Sequence, residues 1–125
     1  ELKIQLGSAS VEKAQGSMQV RGRDMVTGLP RVVEVPAKEI AIAMSEIIHQ
    51  ILDAVKDVLE QTPPEISADV IDHGIVLTGG GAMLRHLAEM ISKETQVPAF
   101  VANDPLDCVA LGTGAILANP SLMKK

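Results

Sequence analysis

Tryptophan and tyrosine are absent from these 125 residues, and Phe100 is the only phenylalanine. That argues against nucleic-acid binding by stacking bases on aromatic platforms. Positive charge is also short: 11 Lys and Arg face 16 Asp and Glu, and the net charge of -5 repels phosphate backbones. Nucleic acid is not an expected partner. Cys108, the one cysteine, cannot form an internal disulfide. No run approaches the roughly 18 to 20 apolar residues of a membrane-spanning helix, so the expected setting is reduced and cytoplasmic. The chain opens on Glu1-Leu2-Lys3-Ile4 without an initiator methionine or the zones of a signal peptide, which suggests a piece of a longer protein.

What is present is aliphatic. Apolar residues make up 46% of the chain, almost wholly Ile, Val, Leu, Ala and Met, enough to build the core of one domain. Residues 1–36 read as loops and strands, with 17–23 and 31–35 as an antiparallel hairpin joined through Thr27-Gly28-Leu29-Pro30. From 38 to 61 the period changes to that of a helix: Ile40, Met44, Ile47, Ile51, Val55 and Val58 form a stripe, widened by Ile48, Leu52 and Leu59. The stripe is expected to pack into the core. Glu46, Gln50, Asp53, Asp57 and Glu60 give the opposite face its acidic character.

Thr62 is expected to cap a short helix over 64–71, with Pro63 at its first position and Glu65 reaching back. Residues 74–78 read as a strand covered on both faces, Met83 to Lys93 as a helix and 97–101 as a second strand. Asp104 and Pro105 signal the start of a last helix, running to about residue 118. Gly112 and Gly114 inside it imply close approach by a backbone or ligand. The strand, helix, strand order from 74 onward is a βαβ unit, so the fold class is α/β with a parallel strand pair and an N-terminal antiparallel hairpin.

The strongest chemical signal is Leu77-Thr78-Gly79-Gly80-Gly81-Ala82-Met83. Three glycines between a buried strand and a helix remove every Cβ where the chain turns, so a ligand can reach the amides and the positive end of the helix. An anionic or ribose-bearing guest suits such a turn; a tight turn that only needs positive φ is the alternative reading. The run matches neither a P-loop nor the Gly-x-Gly-x-x-Gly fingerprint. His49, His73, His86 and Cys108 show no zinc spacing. His49 and His86 read as solvated side chains and Cys108 as a small buried one.

Several stretches together resemble the rod-shape-determining MreB family, the bacterial actins: Leu-Lys-Ile-Gln-Leu-Gly-Ser-Ala at 2–9, Arg-Gly-Arg-Asp-Met-Val-Thr-Gly-Leu-Pro at 21–30, Gln-Thr-Pro-Pro-Glu-Ile-Ser-Ala-Asp at 61–69, Gly-Ile-Val-Leu-Thr-Gly-Gly-Gly-Ala-Met-Leu at 74–84 and Asp-Pro-Leu-Asp-Cys-Val-Ala-Leu-Gly-Thr-Gly at 104–114. The resemblance implies the C-terminal part of an actin-like lobe of the ribonuclease-H-like kind. Residues 1–36 would complete its small subdomain, and 37–125 would supply the later part of the large one. It further implies that Gly79, Gly80, Gly81 and Ala82 lie against the adenosine and proximal phosphate of ATP, with Lys3 near the nucleoside. Magnesium would accompany ATP in the full-length protein.

In such a family the subunits are ATPases that polymerise beneath the cytoplasmic membrane and guide the cell-wall elongation machinery. The partners implied are further copies of the chain and cell-wall elongation proteins. The phosphate-gripping hairpins and the magnesium carboxylate would lie outside this stretch, so the chain alone is expected neither to hydrolyse ATP nor to touch the membrane directly. A competing reading is a self-contained interaction module docking through the acidic helix 39–61. On physical grounds, strands 75–78 and 97–101 would leave an open sheet edge, and the chain is expected to self-associate through it.

Overall fold

The chain folds as α1 (Leu2–Leu6), β1 (Ser17–Arg23), β2 (Pro30–Pro36), α2 (Ala37–Glu60), α3 (Pro64–His73), β3 (Ile75–Leu77), α4 (Leu87–Thr95), β4 (Ala99–Val101) and α5 (Cys108–Ala118), with 3-10 turns at Gly80–Met83 and Pro120–Met123. The structure is a computed structural model that describes residues 1–123. The class is α/β: an antiparallel hairpin and a parallel strand pair joined by helices.

The hairpin pairs Ser17 with Pro36 and Arg23 with Pro30, close to the bounds expected. Asp24 organises its turn. The carboxylate accepts the amides of Val26 and Thr27, each at 2.9 Å, and the Arg31 guanidinium at 3.0 Å. Those donors, the Thr27 and Val26 amides before Arg31, hold the Asp24 carboxyl below its ordinary value. The base of the hairpin is tied to α2 by the Ala37 amide, which donates to the Gly16 carbonyl at 2.9 Å.

β3 and β4 run parallel, Ile75 beside Ala99 and Leu77 beside Val101, with α4 as their crossover. The core forms where α2 and α4 meet the inner face of this pair. Ala9, Ile48, Leu52, Leu87 and Ile91 are its buried members, and Met44, Val55, Ile75 and Leu77 pack around them. Full burial of each large aliphatic side chain there contributes about 1.5–3 kcal/mol. Lys56 on α2 donates to Glu94 on α4 at 2.7 Å across the rim of the same junction.

Several expectations are corrected. Residues 2–6 form a helix rather than a strand or loop; Leu6 is buried and Ile4 points away from the core. The α2 stripe does not pack as a whole, because Ile48 and Leu52 are buried with Ala37 and Ala41 while Ile47 and Val58 are 56% and 66% exposed. A stripe that wide exceeds what α4 and two short strands can cover. β3 is packed on one face only, Val76 remaining exposed, since α3 and α5 bury no residue.

Caps and one helix start also differ. α3 begins at Pro64, as the expected span 64–71 has it, but Pro63 stands at its cap and Thr62 does not serve there: the Thr62 hydroxyl donates to the Val58 carbonyl at 2.7 Å. α5 begins at Cys108 because Asp104 has a φ of 49° and residues 104–107 make a turn first. Cys108 is half-buried, its thiol donating to the Asp104 and Asn103 carbonyls at 3.5 and 3.7 Å. A Cβ at Gly112 or Gly114 would meet nothing within 4 Å, so no backbone approaches either one among the described residues.

Candidate functional site

The glycine run leaves the end of β3 beside the end of β4. The Ala102 amide donates to Leu77 O at 2.9 Å and the Gly79 amide to Pro105 O at 2.7 Å, which turns the chain out of the sheet. Gly79 has a φ of 81°, a conformation that favours glycine. Gly80 and Gly81 open the 3-10 turn, ahead of its first internal bond, from the Ala82 amide to Gly79 O at 3.2 Å. Their own amides therefore have no partner within the turn.

Added side chains show how bare this backbone is. A Cβ at Gly79 or Gly81 would meet nothing within 4 Å, and one at Gly80 would meet only Leu106 Cδ2 at 3.6 Å. Ala82 is buried and anchors the turn to the protein, leaving only its backbone for a ligand. A flat or anionic group can thus lie directly on main chain.

No long helix follows immediately. Leu84 is extended and His86 has a φ of 66°, so α4 starts at Leu87, four residues later than its apolar spacing suggests. The positive end of α4 is consequently not at the glycines.

Those intervening residues are held by the N-terminal segment. Ser8 and Arg85 form a parallel bridge, the Ala9 amide donating to Arg85 O at 2.8 Å. The Arg85 side chain reaches back over the end of α1, donating from Nε to Gly7 O at 3.0 Å and from Nη2 to Gln5 O at 3.2 Å. Ser8, only 1% exposed, has its hydroxyl 2.9 Å from His86 Nδ1 in a hydrogen bond. His86 is therefore not the solvated side chain expected; it is half-buried and structurally engaged. A side chain at Gly7 would collide with the Lys3 carbonyl and meet Leu84 Cδ1 at 3.0 Å, so glycine is required for this close approach.

The structure thus places the end of α1, the helix carrying exposed Lys3, against residues 84–86, just after the glycine turn. Ser8 and Arg85 were not singled out by sequence, and His86 was read only as a solvated side chain, because their partners lie nearly eighty positions away and no local spacing marks them. His49 is exposed on α2, its Nδ1 bonded to the Ser45 carbonyl at 2.7 Å. With Ser10, Lys13 and Lys93 it lines a separate groove of about 310 Å³, which includes none of the glycines. Lys13 pairs with Glu89 there and holds that carboxyl below its ordinary value. Among the described residues, no group of His, Cys, Asp or Glu is arranged to hold a metal ion.

Comparison with known proteins gives a consistent picture. A family model described as MreB/Mbl protein matches residues 1–125. The cell shape-determining protein Mbl of Bacillus subtilis is 45% identical over 125 residues, covering all of this chain and 38% of Mbl. Among solved structures, MreB5 of Spiroplasma citri bound to ADP superposes with a TM-score of 0.85 at 32% identity, covering 99% of this chain and 38% of MreB5. Its AMPPNP-bound form gives 0.84 at 34% identity, over 98% and 36%. A MamK double helical filament matches at 0.66 and 23% identity over 84% of this chain and 32% of MamK, a likeness of fold alone. The chain spans little more than a third of the length of Mbl and of MreB5.

Proposed function

The chain belongs to the MreB/Mbl family of cell shape-determining, actin-like proteins, and from that membership we infer that it is the nucleotide-contacting C-terminal part of a filament-forming ATPase. The observation that carries the reading is the bare main chain at Gly79, Gly80 and Gly81, in a fold shared with a protein crystallised with ADP and with AMPPNP. The open amides of Gly80 and Gly81 would meet the proximal phosphate and ribose, with Ala82 fixing the turn from below and Lys3 approaching the nucleoside from α1.

In this reading, residues 1–36 complete the small subdomain of the second lobe and 37–125 belong to its large subdomain. Copies of the protein stack into filaments at the inner face of the cell membrane and guide the cell-wall elongation proteins. The exposed ridge of α2 around Ile47 and Val58 and the hairpin are suited to subunit contacts. Membrane attachment by spanning is not invoked, because no helix among the described residues is long and apolar enough to cross a membrane. Magnesium has no donor cluster among them either, so no step is assigned to it here. The reading of the acidic helix as a self-contained docking module is not favoured, since the family match extends over the whole chain.

The test is titration of a fluorescent ATP analogue against the complete polypeptide as encoded by its gene. Gly81→Leu places a side chain where the fold leaves open space, so thermal stability should hold while affinity falls by about tenfold or more, equal to about 1.4 kcal/mol. Undiminished binding by that variant would overturn the assignment of the glycines.

A further inference from the structure

The strap between residues 5–9 and 84–86 joins segments nearly eighty positions apart through four polar contacts. Two carbonyls near the end of α1 are gripped by one guanidinium, a backbone bridge runs alongside, and a buried serine is joined to a histidine in a left-handed conformation. The strap brings two apolar side chains to the core, Ala9 as a buried member beside Ile48, Leu52, Leu87 and Ile91 and Leu84 packed against them, while the polar groups of Arg85 and His86 are not part of that cluster. What the strap does fix is the position of α1 against the residues that end the glycine turn. The Leu84 amide donates to Gly81 O at 3.1 Å, so a displacement of 84–86 is passed directly to Gly81.

We propose that Arg85, with the Ser8 and His86 pair, is the positioning device that sets α1 and the glycine turn as two sides of one nucleoside clamp. The proposal rests on the nucleotide reading above and extends it to residues that touch no ligand. Arg85 acts through the carbonyls of Gln5 and Gly7, which hold the helix bearing Lys3; Ser8 and His86 keep the connection from sliding. A guanidinium suits this task because its fixed fork spans two carbonyls at once, which an ammonium group cannot match in geometry.

The experiment uses the complete polypeptide and compares wild type with Arg85→Ala, Arg85→Lys, Ser8→Ala and, as a control for stability alone, Ile48→Val. Fluorescent ATP analogue affinity is measured well below each melting temperature, with hydrogen exchange of residues 3–9 and 80–86 followed in the absence of nucleotide. Arg85→Ala and Ser8→Ala should each weaken binding by about tenfold. Exchange should quicken in both segments together, and Arg85→Lys should recover part of the loss. Ile48→Val should lower the melting temperature with affinity unchanged. If wild type binds and Arg85→Ala binds equally well, the positioning role is wrong while the nucleotide reading stands. If affinity follows melting temperature across all four variants, Ile48→Val included, the strap is only structural and the proposal fails. Wild type that binds no nucleotide would overturn both.

Discussion

Gly74 and Gly81 are the same residue for different physical reasons. Gly74 has a φ of 79°, and a Cβ there would come 2.7 Å from Pro98 O and 3.2 Å from the Phe100 ring. Gly74→Ala should therefore cost about 1–3 kcal/mol, read as a lower urea midpoint. Gly81→Ala should leave the midpoint within about 0.5 kcal/mol of wild type, because open space surrounds the position. Equal midpoints for the two variants would contradict this assignment. Ile91, 1% exposed at the centre of the core, should lose about 2–5 kcal/mol as Ile91→Ala in the same assay. The glycine run was legible in the sequence because a triple absence of side chains has few structural uses. Ser8 was not legible, since its burial depends on His86, 78 positions away.

Elements were legible in proportion to their length. The 24 residues of α2 offer several turns of apolar period, and its bounds agree with that period to within a residue or so. The 5 residues of α1 offer barely more than one turn, too few for a period to show, and the alternation of Leu2, Ile4 and Leu6 mimics a strand. Met83 and Leu84 extend the spacing of α4 backwards, yet the Ser8 to Arg85 bridge removes them from the helix, a tertiary effect that overrides local pattern. The hairpin turn carries its own pH dependence. Asp24 is held below its ordinary 3.8, first by the Thr27 and Val26 amides, so the turn is stabilised above that value and loosens as pH falls through the lower, folded one. The amide resonances of Val26 and Thr27 should shift with a midpoint under 3.8, and Asp24→Asn should abolish that transition. A midpoint above 3.8 would show that the carboxylate does not hold the turn.

At the scale of the whole molecule, apolar surface is left uncovered on the side away from α2 and α4. β3 and β4 pair only with each other among the described residues, and α5 is apolar on all sides with Val109 79% and Leu117 77% exposed. Which side of each helix is buried was the least legible property, because it depends on neighbours that α3 and α5 do not find among the described residues. The 125-residue chain expressed alone should self-associate through these surfaces, with sedimentation shifting to heavier species as concentration rises. The double variant Leu111→Lys, Leu117→Lys should reduce that shift, and a clean monomer at high concentration in the unaltered chain would rule the behaviour out. The bond from Ser8 to His86 bears on how such a chain reaches its native state. It closes a loop of 78 residues, an entropic cost that local helices do not carry. In a refolding time course, α2 should acquire amide protection early, and the first ten residues should be among the last to lock, waiting for a partner that a ribosome would deliver long after they had emerged.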